Sequence, residues 1–269
     1  MPETTTLLRT ERLSVRYGGV VANSDIDLTV GAGEIVGLIG PNGAGKTTFV
    51  DAVTGFTDST GHVTLVGVAL DRLGPHRRRR AGLARTWQAG ELFGDLTVEQ
   101  NLAVALQRTG LRSVLTDIAG RSAPPREIID AALDLVGVPG VGDHRPGELA
   151  LGRQKLVGVA RALVGGSRVV LLDEPAAGLD THESVEFGRH LRRVAASGIG
   201  VLLIDHDMQL VLDICARLYV LDFGVVIAGG EPAVIREDPR VIAAYLGTAA
   251  PGEAARPPAA ADRPAGESA

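Results

Sequence analysis

The run Ile35-Val-Gly-Leu-Ile39 passes directly into Gly40-Pro-Asn-Gly-Ala-Gly-Lys-Thr-Thr48, and the apolar Phe49 to Val53 follows at once. A short apolar run without alternation suits a strand buried on both faces, and the stretch after Thr48 is compatible with a helix. What lies between obeys the pattern G-x-x-x-x-G-K-[ST], which makes physical sense in that setting. Glycines let successive backbone N–H groups converge on phosphate oxygens at the helix N-terminus, where the helix dipole also favours an anion. Lys46 adds a cation beside those phosphates, and Thr47 offers a hydroxyl to Mg2+. Asn42, Gly43, Ala44, Gly45, Lys46, Thr47 and Thr48 are therefore candidate phosphate-binding residues. The fold class expected is α/β, with this loop at the carboxyl end of a parallel strand.

Two further apolar runs, Val169 to Leu172 and Val201 to Ile204, end as abruptly, in Asp173-Glu174 and Asp205-His206. In an open parallel sheet ligand chemistry collects at such strand ends. The stretch Val169-Val-Leu-Leu-Asp-Glu-Pro175 places Asp173 to hold Mg2+ through water and Glu174 to polarise an attacking water. Taken alone, two acids after a strand equally suit a cap for the next segment. Upstream, Leu7 to Leu70 carries short alternating pieces separated by glycines, which predicts an antiparallel flank. Between Gln88 and Gly152 the texture is helical: Thr97 and Gln100 form a capping-box pattern, and Ile129, Leu133 and Val136 repeat at helical spacing. Ser122 to Pro125 divides that stretch into separate helices. The closing Ala249 to Ala269 is Ala-, Pro- and Gly-rich, has no large apolar residue, and is expected to be disordered.

Composition narrows the function classes. A chain of 269 residues with 45% hydrophobic and 22% charged residues is an ordinary globular protein. The formal charge of -5 argues against a general electrostatic grip on nucleic acid, and no nucleic-acid partner is expected. Cys215 is the single cysteine, which fits a reducing compartment and reads as a small core residue. No apolar run approaches the roughly 18 residues of a membrane span, and Met1 to Thr10 lacks a signal-peptide core. A cytoplasmic protein is expected, with any membrane role exercised through partners. His76 to Arg80 is a basic cluster that reads as a solvated helix face.

Over about Leu7 to Thr248 the chain resembles an ABC-transporter ATPase subunit, with Gly40 to Thr48 as its P-loop and Asp173-Glu174 as its Walker B acids. The rest of the resemblance rests on motifs in family order. Gln88 matches the Q-loop glutamine, His206 the switch histidine that contacts the γ phosphate, and Ala177-Gly-Leu-Asp180 the D-loop. Tyr17 sits where the family places an aromatic that stacks on adenine. Each has a plainer reading, as a loop residue, a helix cap and a core aromatic for Gln88, His206 and Tyr17. The signature, usually Leu-Ser-Gly-Gly-Gln, reads Leu149-Ala-Leu-Gly-Arg-Gln154 and retains Gly152. Ala150 lacks the serine hydroxyl, which removes one charge-assisted hydrogen bond of about 1.5 to 3 kcal/mol at most.

The branch most resembled is that of branched-chain and hydrophobic amino-acid importers, through Arg85-Thr-Trp-Gln88, Leu92-Phe93, Ala176-Ala-Gly-Leu-Asp180, Asp205-His-Asp-Met208 and the ending Ile235 to Gly247. Departures are Trp87, Leu151, Arg153 and Asp205. The resemblance implies an ABC ATPase domain over 7–248 with a helical subdomain at about 89–155, and ATP and Mg2+ as ligands. It implies catalytic roles for Glu174, His206, Gln88 and Lys46, metal binding by Thr47, Gln88 and Asp173, and nucleotide contacts from Tyr17, Gly152 and Asp180. Its implied partners are permease transmembrane subunits, a second ATPase protomer and, indirectly, a solute-binding protein, with the chain peripheral on the inner face of the membrane. Lipid-export ATPases share much of the C-terminal pattern and are the nearer alternative. A soluble remodelling ABC ATPase and a simple P-loop kinase are the more distant ones.

Overall fold

The structure is a computed structural model, and it describes residues 5–86, 92–106 and 126–246. Six strands form a central sheet in the order β10-β9-β3-β8-β7-β6. They are β3 (Ile35–Ile39), β6 (Leu83–Arg85), β7 (Val169–Asp173), β8 (Gly200–Ile204), β9 (Arg217–Asp222) and β10 (Val225–Gly230). All pairings are parallel except the β9–β10 hairpin. The antiparallel flank is a second sheet, β2-β1-β4-β5, built from β1 (Thr6–Tyr17), β2 (Val20–Gly31), β4 (Thr60–Leu65) and β5 (Val68–Ala69).

The lack of alternation in the three apolar runs has a direct cause, since every residue of β3, β7 and β8 is buried. Successive side chains leave opposite faces of a strand, and here each face meets its own core. Val170, Leu172, Val201 and Leu203 join one core with helices α3 (Val98–Leu106), α4 (Arg126–Leu135), α5 (Leu151–Leu163), α6 (Thr181–Ala196) and α7 (Met208–Ile214). Val169, Leu171, Leu202 and Ile204 join the other, with α1 (Lys46–Thr54) and the antiparallel sheet. Truncating a residue such as Leu202 to alanine would cost about 2–5 kcal/mol. Cys215 lies buried in the first core, and burial pushes its thiol up to about 12, so it is inert.

The capping box at α3 forms as the sequence implies: Thr97 N–H donates to Gln100 Oε1 at 2.9 Å and Gln100 N–H to Thr97 Oγ1 at 3.2 Å. Ile129, Leu133 and Val136 are buried. Ser122 to Pro125, Gln88 and the tail from Ala249 lie outside the described residues. The basic cluster departs from expectation. In α2 (Pro75–Arg80) His76, Arg77 and Arg80 are exposed, but Arg78 is buried and donates to the carbonyls of Leu73, Ala52 and Val53. Those last two carbonyls lie in the last turn of α1, where a cation is favoured, and Ala52 O also accepts from the Gly55 N–H at 3.1 Å. Burial lowers the pKa of this guanidinium from its ordinary value, with Asp71 opposing.

The parallel strand order sets the site. Chain segments leaving β3, β8, β7 and β6 emerge side by side on one edge of the sheet, so the segment carrying Asp205-His206 lies between the glycine loop and Asp173-Glu174.

Candidate functional site

The glycine loop is shaped by what surrounds it. At Gly45 (φ 100°) a Cβ would lie 2.6 Å from Asn23 Nδ2 and 2.7 Å from the Ala22 carbonyl oxygen. At Gly40 (φ 152°) it would lie 2.0 Å from the Leu221 carbonyl oxygen. Both positions therefore require glycine for space as well as for backbone conformation. Asn23 Nδ2 donates to Gly45 O at 3.2 Å, and Gly224 N–H donates to Ala44 O at 2.9 Å, which pins the loop to β2 and to the β9–β10 turn. No side chain caps the N-terminus of α1. Its first N–H groups stay available to an anion. Lys46 Nζ donates to Gly40 O at 2.7 Å and Pro41 O at 2.9 Å. Burial lowers its pKa from the usual lysine value, opposed by the nearby charges of Glu174 and Asp173. An arriving phosphate would compete with those two carbonyls for the ammonium.

Across from the loop, Asp173 is buried and its Oδ2 accepts from Arg85 Nη2 at 3.0 Å. Arg85 Nη1 also donates to Asp51 Oδ1 on α1, so one guanidinium ties the helix behind the loop to the end of β7. The remaining Asp173 oxygen and the Thr47 hydroxyl are hard oxygen donors of the kind Mg2+ prefers. Among the described residues no group of three or more His, Cys, Asp or Glu forms a metal site by itself. These two donors thus suit an ion that arrives already bound to phosphate oxygens. Glu174 follows with φ 47°, a left-handed conformation uncommon outside glycine and often found at functional sites. Its N–H donates to Ile204 O at 2.7 Å, and its Oε1 lies 4.0 Å from His206 Nδ1.

His206 is exposed and does not cap α7; that role falls to Asp207, whose Oδ1 accepts from the N–H groups of Gln209 and Leu210. Tyr17 is half exposed rather than a core aromatic, its hydroxyl 3.3 Å from Thr57 Oγ1. Ala150 is the N-cap of α5 without a side-chain bond, and Gly152 lies in its first turn against Leu179. Asp180 caps α6 in a capping box with Glu183. Phe93 is exposed, with Arg161 6.0 Å from its ring centroid, and Asn101 holds the 93–97 turn through Phe93, Leu96 and Thr97 carbonyls. The structure thus gathers Lys46, Asp173, Glu174 and His206 at one edge, and leaves Gly152 and Asp180 beside each other's loops.

Residues 23–177 match the ABC transporter family. The chain belongs to that family. This ABC ATPase also matches, over residues 225–251, the family described as branched-chain amino acid ATP-binding cassette transporter. It is 39% identical over 251 residues to the high-affinity branched-chain amino acid transport ATP-binding protein LivG of Salmonella typhimurium (strain LT2), covering 90% of this chain and 98% of that protein. It is 34% identical over 242 residues to the lipopolysaccharide export system ATP-binding protein LptB of Haemophilus influenzae (strain Rd), covering 90% and 97%. Among solved structures, the ADP conformation of an ABC transporter's ATP-binding cassette superposes with a TM-score of 0.80 at 29% identity, covering 91% of this chain and all of that one. The resemblance read from the motifs, the α/β cassette fold and an ATPase whose hydrolysis is coupled to transport are all supported by these matches.

The sequence alone did not reveal Arg85 as the partner that Asp173 shares with Asp51, Arg78 as the cation on the last turn of α1, or the two backbone N–H groups that Asp205 accepts from. One available signal was a charged residue closing a wholly apolar strand, where burial demands a partner.

Proposed function

We propose that this ATPase powers uptake of branched-chain or related amino acids through separate permease subunits in the membrane. The observation that carries the substrate class is the match of residues 225–251 to the branched-chain amino acid family, in a segment holding none of the candidate nucleotide residues. The identity to LivG agrees with it. No described helix is long and apolar enough to cross a membrane.

In this reading the loop N–H groups and Lys46 bind the β and γ phosphates, while Tyr17 stacks on adenine. Thr47, Asp173 and Gln88 would hold Mg2+, which would supply charge neutralisation on the phosphates. Glu174 accepts a proton from the attacking water, and His206 contacts the γ phosphate from the neighbouring strand end. The uncapped start of α5, with Gly152, faces the γ phosphate held by a second protomer, and Asp180 carries communication between the two. One chain supplies each half-site once, so two copies, or one copy and a paralogue, close head to tail on two ATP molecules. Closure pushes on the permease near Gln88 and Leu92-Phe93, and hydrolysis reopens the pair.

The test is affinity purification of the tagged ATPase from detergent-solubilised source membranes, with the co-purifying chains identified. Permeases together with an amino-acid-binding protein establish the reading. Lipid-export components replace it with the reading suggested by LptB. In the purified protein, Lys46→Ala is expected to lose ATP binding. Glu174→Gln is expected to keep binding and lose turnover by at least about a hundredfold.

A further inference from the structure

Asp205 is a buried carboxylate that none of the roles above uses. Its side chain is 1% exposed, whereas His206 next to it is 71% exposed. Oδ2 accepts from the Ala176 N–H at 3.1 Å, and Oδ1 from the Asp207 N–H at 2.9 Å. Ala176 lies two residues after Glu174, and Asp207 directly follows His206, so each oxygen holds the backbone beside one of those two residues. The turn bearing Glu174 thus hangs from the end of β8 by two bonds, Ala176 N–H to Asp205 and Glu174 N–H to Ile204 O at 2.7 Å. It needs such support, because the φ of 47° at Glu174 persists only where the surroundings impose it.

The bonds continue beyond Asp205. Asp207 caps α7, and its Oδ2 accepts from Ser184 Oγ at 2.7 Å. Ser184 belongs to α6, which begins at its cap Asp180. A connected path of hydrogen bonds and short backbone steps therefore runs from the Glu174 turn through Asp205 and Asp207 to the helix that starts at Asp180.

We propose that Asp205 is a positioning residue: its carboxylate sets Glu174 against His206 and couples both to the Asp180 helix. This rests on reading Glu174 and His206 as the hydrolytic pair. A carboxylate suits the task because both oxygens accept, whereas an amide would turn a donor toward one of the two N–H groups. The two charge-assisted bonds also offset the cost of burying an anion. His206 Nδ1 lies 3.8 Å from Asp205 Oδ1.

ATP turnover, ATP affinity and thermal unfolding are measured for the full chain and for Glu174→Gln, Asp205→Asn and Ser184→Ala. Asp205→Asn is expected to lower kcat by about ten- to a hundredfold while KM for ATP stays within about twofold, since the glycine loop is untouched. Ser184→Ala, one link further away, is expected to lower kcat by about two- to fivefold at unchanged KM. Unchanged kcat in Asp205→Asn overturns the proposal, as does a fall in kcat matched by a fall in ATP affinity. If Asp205→Asn does not fold, Ser184→Ala decides, and wild-type kcat there overturns it. Full turnover in Glu174→Gln removes the hydrolytic pair on which the proposal stands. An inactive Glu174→Gln beside a fully active Asp205→Asn strikes Asp205 alone.

Discussion

Asp173 and Asp205 leave neighbouring parallel strands, and each is 3% exposed, yet they are neutralised in opposite ways. Asp173 gives one oxygen to Arg85, a guanidinium that also holds Asp51. Asp205 gives both oxygens to backbone N–H groups. Asp173 has one oxygen in the ion pair, and its charge acts on Lys46, raising that lysine's pKa against the effect of burial. At Asp205 each oxygen is held by a backbone N–H, and those two bonds tie the Glu174 turn to the turn bearing His206. Burial and placement at a strand end are shared by the two acids, so what separates them is their partners, a guanidinium for one and two backbone N–H groups for the other.

The sharpest way to break this comparison is Arg85→Ala. It leaves Asp173 buried without its cation and still near Asp51, and breaking a buried pair in this way costs about 3–5 kcal/mol. Denaturant unfolding measures the loss, and Arg85→Ala with Asp51→Asn should recover part of it by removing one of the two facing charges. A loss under about 1 kcal/mol would place the pair in the class of surface ion pairs and erase the contrast with Asp205. The second test is Asp205→Asn in the same assay. Its expected cost is about 1–3 kcal/mol, the range for a buried group left imperfectly paired. A cost as large as that of Arg85→Ala would mean that the backbone bonds anchor the fold as firmly as the ion pair does.

The contrast also marks what was legible in the sequence. Gly40 to Thr48, Asp173-Glu174 and Asp205-His206 were all placed at strand ends, because a run buried on both faces reads as continuous apolar sequence and its end is abrupt. The antiparallel flank was legible through the alternation of residues such as Leu13, Val15 and Tyr17. Partners were not legible. Arg85 and Asp173 are 88 positions apart, and only the adjacency of β6 and β7 brings them together. Arg78 illustrates the same gap: in a row of four arginines nothing local distinguishes the one that turns inward onto the carbonyls of α1. The left-handed turn at Glu174 was equally invisible, since it is imposed by β8 and not by the residue type.

The smallest expected effect belongs to Asp51→Asn, and it tests which of its two acids Arg85 serves. The side chain of Asp51 is 29% exposed against 2% for Asp173, so water already screens part of its attraction to the guanidinium. Removing its charge leaves Arg85 paired with Asp173, and the asparagine oxygen can still accept a hydrogen bond. The expected loss is therefore about 1 kcal/mol or less, read from the shift in denaturant midpoint at unchanged slope. A loss equal to that of Arg85→Ala would show that the guanidinium is held chiefly by α1. The ion pair would then be a strut of α1 with Asp173 as its passenger, and the partner rule that separates Asp173 from Asp205 would have to be drawn from Asp51 instead.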